Sequence, residues 1–366
     1  MMCASFPLQR AVSGVSQQVG KLKQHVQTHP RRYGLGAVVA TMAGVAYEVP
    51  ALVGTWASGD MRKLHPSLDS SSRDTGEVIP PTRLQQGTNT ALIFNAGINT
   101  SRGSQQQLAQ KFENTLQVPV YTVNAGNKEE HLDDLLKNKL DFARAVAQQL
   151  TNTADRRVVQ SNVRLLNTLT KDPALKTVGL VGVSEGTQGV QHTLQQWLKD
   201  PTLSPEQKQK VQTYMVATPI EVSQQQKLKQ TLQHHGMGSQ YHDLTDTQND
   251  GLAMCSANRT SEVKIDPTTK QVVHQGKSYR GFWDTALGYL VRPKQPVLSD
   301  GTPQHNGFLT CMEAYKTSRA LRQVPDVHSR EVLVDKVVSY LKTQLPAPQV
   351  PSVKPKPSNE AQSLSQ

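Results

Sequence analysis

Short apolar runs alternate with stretches of helical period through most of this chain. Ala91-Leu-Ile-Phe94 is a compact apolar run closed by Asn95-Ala-Gly97, and a helical pattern follows from Gln105 to Leu116. Val118 to Val123 reads as the next strand and is closed by Asn124-Ala-Gly126. The repeated Asn-Ala-Gly turn places both strand ends on one edge of a sheet. Asn127 with Glu130 has capping-box form and opens a helix with leucines on one face from Leu132 to Leu150. A second helical stretch covers about Asp155 to Thr170. Val178-Gly-Leu-Val-Gly-Val183 has no polar position, the pattern of a strand buried on both faces of a parallel sheet, and a helix follows to about Leu198. Ser204-Pro-Glu-Gln207 is a helix start, with Pro at the first helical position and Gln at the third.

Further along, the pattern predicts a strand at Tyr214 to Ala217 stopping at Thr218-Pro219, a helix at Val222 to Gln233 and a strand at Gln240 to Leu244. A hairpin (Val263 to Val273), a helical segment (Leu309 to Ser318) and a last helix (about Arg330 to Leu345) complete it. Strand alternating with helix predicts an α/β domain, a mostly parallel sheet covered by helices on both faces.

The two ends read differently. Residues 1–56 hold a polar, basic stretch and then an apolar run from Tyr33 to Trp56. At about 24 residues that run is long enough for one bilayer crossing. Lys21, Lys23, Arg31 and Arg32 precede it, a bias that leaves the N-terminus cytoplasmic. Glu48 and Pro50 count against insertion, and a helix packed on the soluble domain or a processed segment are the alternatives. The expectation is a membrane anchor in residues 33–56 on an otherwise cytoplasmic protein. Residues 57–87 are rich in Ser, Asp, Thr, Pro and Gly and read as a linker; 346–366 carry five prolines and read as a disordered tail. Between them, 88–345 is the size of one α/β domain.

Composition narrows the classes. With 36% hydrophobic and 5% aromatic residues among 366, a polytopic membrane protein is excluded, and 3 cysteines exclude a disulfide scaffold or a cysteine-rich zinc array. The net charge of +11 is scattered, with no zinc finger, aromatic RNA-binding motif or basic block, so no nucleic-acid partner is expected. His234-His235 and His242 lack metal-ligand spacing, and neither G-x-G-x-x-G nor a Walker lysine occurs; no metal or cofactor is expected.

The informative motif is Gly182-Val183-Ser184-Glu185-Gly186, set between the most apolar strand and a helix. Chance produces a G-x-S-x-G in roughly one chain in ten of this length, and the strand-before, helix-after setting cuts that severalfold. At such an elbow the serine hydroxyl stands above the sheet edge as a nucleophile, while glycines two before and two after avoid collisions within the turn. The backbone N–H of Glu185, at a helix N-terminus, is aimed where an oxyanion forms. A structural turn with no chemistry is the bland alternative.

With that elbow, the segment from about 88 to 345 resembles the α/β-hydrolase superfamily, most closely its lipase- and esterase-like members. Ile93-Phe-Asn-Ala-Gly97-Ile98 matches the turn after an early strand, where the resemblance implies a second oxyanion donor near Ile98, although Asn95 stands where His is more usual. The implied chain order is serine, acid, histidine. For the acid, Asn249-Asp250-Gly251-Leu252 favours Asp250, with Asp246 the alternative and Asp243 also open; such Asx residues also serve as plain turn formers. For the base, His305-Asn-Gly-Phe308 favours His305, with His274 and His328 as weaker rivals. His192 lies two helical turns past Ser184 and is too far. Cys255 and Cys311 follow the acid and the base, so if both loops crown one sheet edge a disulfide can form, as suits an exported domain. Aromatic and aliphatic residues between Asn258 and Pro303 could pack an insert or line an acyl pocket.

The resemblance thus implies a serine hydrolase that cleaves an ester-type bond, with small-molecule or acyl-lipid substrates. The alternatives are a catalytically inactive hydrolase-fold scaffold and a membrane-anchored interaction protein.

Overall fold

A computed structural model describes residue 58 and residues 75–82, 88–98, 100–125, 144–145, 147–149, 151–258, 262–275, 308–325, 327–328 and 330–344. The apolar segment 33–56, the tail 346–366 and His305 lie outside them. Among the described residues no helix is long and apolar enough to cross a membrane.

One six-stranded sheet organises the domain. Its strands are β1 (Val78–Ile79), β2 (Thr90–Asn95), β3 (Val120–Val123), β4 (Thr177–Val183), β5 (Val211–Val216) and β6 (Tyr241–Asp243), in the order β1-β3-β2-β4-β5-β6. Strands β3, β2, β4, β5 and β6 are mutually parallel, with Phe94 opposite Thr122 on one side and Val181 on the other, and Val181 opposite Tyr214. Only β1 runs antiparallel, along the β3 edge.

Helices cover both faces because the strands are apolar on both faces. Ala91 and Ile93 of β2 and Val178 and Leu180 of β4 pack under α2 (Arg156–Lys171), α3 (Gly186–Trp197) and α5 (Val222–His234). The alternate positions, Leu92, Phe94, Val181 and Val183, pack under α1 (Arg102–Leu116) and the last helix, α8 (Arg330–Gln344). Side chains alternate across a strand, so a run without polar positions forces two apolar layers. A short helix, α4 (Pro205–Lys210), has the expected capping box of Ser204 and Gln207 but ends at once in β5. That strand starts three residues before its most apolar part, because Val211 to Thr213 pair with β4. Beyond β6 come α6 (Gly251–Ala257), the hairpin β7 (Glu262–Ile265) and β8 (Val272–Gln275), and α7 (Phe308–Arg322).

The stretch 57–87, read as a linker, carries β1. Two residues are too few to leave a hydrophobic pattern; the open edge of β3 recruits them, burying Ile79. The buried carboxylate of Glu113 in α1 then accepts hydrogen bonds from Thr82 and from the Val120 backbone.

The chain order reverses at the centre of the sheet. From β2 the chain moves outward to β3, whereas from β4 it moves the other way to β5 and β6. The crevice beyond the carboxyl ends of β2 and β4 is therefore a topological switch point, where open α/β sheets bind ligands.

Candidate active site

Ser184 stands at that switch point, immediately after β4. Its φ is 53°, in the left-handed region that a residue with a Cβ adopts at a cost of about 1–3 kcal/mol. The surroundings hold it there. The Ser184 N–H donates to the Val216 carbonyl (2.9 Å), and the Ser184 carbonyl accepts from the Thr187 N–H (3.0 Å) and hydroxyl (2.6 Å). The Thr218 hydroxyl donates in turn to that of Thr187 (3.1 Å), tying the turn to the end of β5. A Cβ on Gly182 would come within 2.8 Å of the Thr187 Cα, and one on Gly186 would run into the backbone oxygens of Asn95 and Ala96, so both places require glycine. The loop after β2 abuts the serine: a Cβ at Gly97 would lie 3.0 Å from that of Ser184.

Asp250 and an imidazole meet beside this turn. Asp250 caps α6, its Oδ1 accepting from the Ala253 N–H at 2.9 Å. The same oxygen lies 2.7 Å from Nδ1 of His328. Asp250 is 0% exposed and the His328 side chain 16%. When ionised, Asp250 only accepts, which requires Nδ1 of His328 to be the donor in this bond. Ser184, Glu185, Ile98 and His328 line one cavity of about 40 Å³, walled further by Gln188, Pro219, Leu252 and Ala253. The loop that ends at Asp250 is buttressed from α7: the Tyr315 hydroxyl donates to the Thr247 carbonyl (2.8 Å), and Arg322 donates to the Gln248 carbonyl (2.8 Å) and to Asn249 (3.0 Å). Burial, reinforced by the charges of Asp250 and Asp246, holds the Tyr315 phenol far above its ordinary pKa and keeps it a neutral donor.

The other sequence candidates fall elsewhere. Asp246 accepts from the backbones of Gln248 and Asn249 and from the Asn249 side chain, forming a turn. Burial opposes its ionisation, but those hydrogen bonds and Lys336 hold its carboxyl below the usual range. Asp243 accepts from the Thr245 N–H. His274 lies 3.3 Å from the Tyr315 hydroxyl, in the buttress rather than at the cavity. Asn95 turns inward, its Oδ1 accepting from Asn162 at 2.6 Å, so its side chain supports the sheet end rather than the cavity wall. Cys255 of α6 and Cys311 of α7 are bonded to each other. Among the described residues no group of three or more His, Cys, Asp and Glu is placed to hold a metal ion.

The sequence favours His305 over His328 because a histidine between two helices has no local signature. Its available signal was position, just ahead of the last helix, from which a ring can reach back to the sheet edge. Thr187 and Thr218 had none, since hydroxyls that brace a turn look like any others. No protein-family model matches this chain, and no curated protein matches it either.

Proposed function

We propose that this chain is a serine hydrolase of α/β-hydrolase type that cleaves carboxylic esters, with Ser184 as nucleophile, His328 as general base and Asp250 as the acid that orients it. In the first step the Ser184 hydroxyl oxygen bonds to the ester carbonyl carbon while its proton passes to Nε2 of His328. The carbonyl oxygen takes the negative charge against the backbone N–H groups of Ile98 and Glu185. Collapse expels the alcohol, which takes the proton from His328, and leaves an acyl-serine. Water then repeats the sequence, releasing the acid and restoring the serine. Asp250 holds the ring in the Nδ1–H form throughout. The base role proposed for His305 on resemblance passes in this reading to His328.

One observation carries the reading: a serine held at φ 53° on a strand-to-helix turn shares a cavity with the imidazole of a buried aspartate–histidine pair. A fluorophosphonate probe tests it. The full chain should be labelled at Ser184, and Ser184→Ala should abolish both labelling and turnover of short-chain p-nitrophenyl esters. His328→Gln should lower turnover by about 10⁴–10⁶-fold. Absence of labelling would favour the scaffold reading, and full activity in His328→Gln would return the base to another histidine.

A further inference from the structure

Among the described residues lining the Ser184 cavity, Gln188 has a carboxamide with nothing to bind. Gln188 lies in the first turn of α3, four residues beyond the serine, and is 6% exposed. Its backbone N–H is spent on the Glu185 carbonyl at 2.9 Å, but its carboxamide makes no hydrogen bond, and Oε1 is buried without a partner. Three other glutamines with an unpaired buried Oε1 are anchored at the opposite end, while Gln248, in the turn before Asp250, makes no carboxamide hydrogen bond either. Gln105 donates through Nε2 to the Thr100 carbonyl, Gln191 to Asn152, and Gln240 to the carbonyls of Lys208 and Gln209. Gln149, also on the cavity wall, spends its amide on the Pro219 carbonyl. Among the described residues that line the Ser184 cavity, Gln188 is the glutamine whose amide is unspent.

A buried amide left unpaired carries a desolvation penalty that a bound partner removes. Ile98, Ala145, Pro219, Leu252 and Ala253 present apolar surface on this wall, and its other polar residues Gln149, Glu185, Ser256 and His328 have interactions of their own. Gln188 and Ser184 line the same cavity of about 40 Å³, so the amide stands near the first carbons of an acyl chain whose carbonyl sits on Ser184. From this we infer that Gln188 selects acyl groups carrying a hydroxyl near the carbonyl. A hydroxyl both donates and accepts, so it satisfies whichever end of the amide faces the cavity. The inference rests on the serine-hydrolase reading and names its substrate class: short hydroxyacyl esters in preference to plain alkanoyl esters.

The test compares kcat/KM of the full chain for p-nitrophenyl β-hydroxybutyrate and p-nitrophenyl butyrate, which share a leaving group and chain length. The wild type should prefer the hydroxy ester by about tenfold or more, since a site built around a substrate hydroxyl rejects the analogue lacking it. Gln188→Met, similar in volume and without the amide, should bring the ratio close to one. A ratio near one in the wild type overturns the inference, whether or not Gln188→Met folds, and so does a preference that survives in Gln188→Met. Fluorophosphonate labelling separates the two levels. Labelling of Ser184 with a flat ratio removes the hydroxyacyl preference alone, whereas no labelling removes the hydrolase reading beneath it.

Discussion

Asp250 Oδ1 serves two partners at once, the Ala253 N–H that starts α6 and the Nδ1–H of His328. Asp250→Asn can keep the cap, because its carbonyl oxygen still accepts, but it cannot hold the ring in the required tautomer. In the proposed mechanism kcat should fall by about 10⁴-fold while the urea midpoint moves little. Asp246→Asn loses only turn hydrogen bonds and should cost far less activity; an equal loss in both would remove Asp250 from its role. At this scale the sequence was legible where local geometry dictates residue type. The turn at Ser184 was legible because only glycines fit two residues either side of it, whereas Asp250 was singled out by the likeness of Asn249-Asp250-Gly251-Leu252 to an acid loop, and its capping of α6 appears only in the structure. His328 was not, because nothing within a few residues of it distinguishes it from His305 or His274; its meaning comes from a carboxylate 78 positions away.

At the scale of elements, β4 and α3 form one rigid unit around the serine. Gly186→Ala pushes a methyl group into the backbone oxygens of Asn95 and Ala96, which have no side-chain freedom to yield. The expected loss is about 1–3 kcal/mol or more by chemical denaturation, with labelling of Ser184 slowed as the turn shifts. Helix α3 also makes stability depend on pH. Burial pushes the pKa of His192 down to about 4, opposed by a hydrogen bond to the Asn152 backbone and assisted by the Lys199 charge. The unfolded chain then binds this proton near pH 6.5 and the folded chain only near 4. The neutral ring's contribution is therefore complete above pH 6.5 and is lost as pH falls toward 4, at most about 3 kcal/mol. His192→Gln should flatten the stability profile between those values; an unchanged profile would show that the ring is solvated.

Across the whole molecule, the acid loop depends on parts of the chain that follow it. The disulfide joins α6 to α7 across a separation of 56 residues, and Cys255, Val272, Cys311 and Tyr315 form a small core of their own beside Asp250. Closing a loop of that length stabilises by about 4 kcal/mol in the chain-entropy account. The double variant Cys255→Ser, Cys311→Ser should lose up to that much and should lose activity as well, because α7 carries the Tyr315 and Arg322 contacts to the loop. With 3 cysteines in the chain, the denatured, unreduced protein should titrate a single thiol, that of Cys3; three thiols would show that the bridge does not form. The sequence by itself determined the α/β alternation, the two-sided burial of β4, the capping box of α4 and the serine turn, since each follows from residues within about ten positions, where sterics and local hydrogen bonds act. Tertiary structure alone decided that Val78–Ile79 completes the sheet edge, that Asn95 faces Asn162, and that His328 is the ring on Asp250. Those outcomes depend on which distant surfaces the packed sheet brings within hydrogen-bonding range, and hydrophobic period carries no record of them.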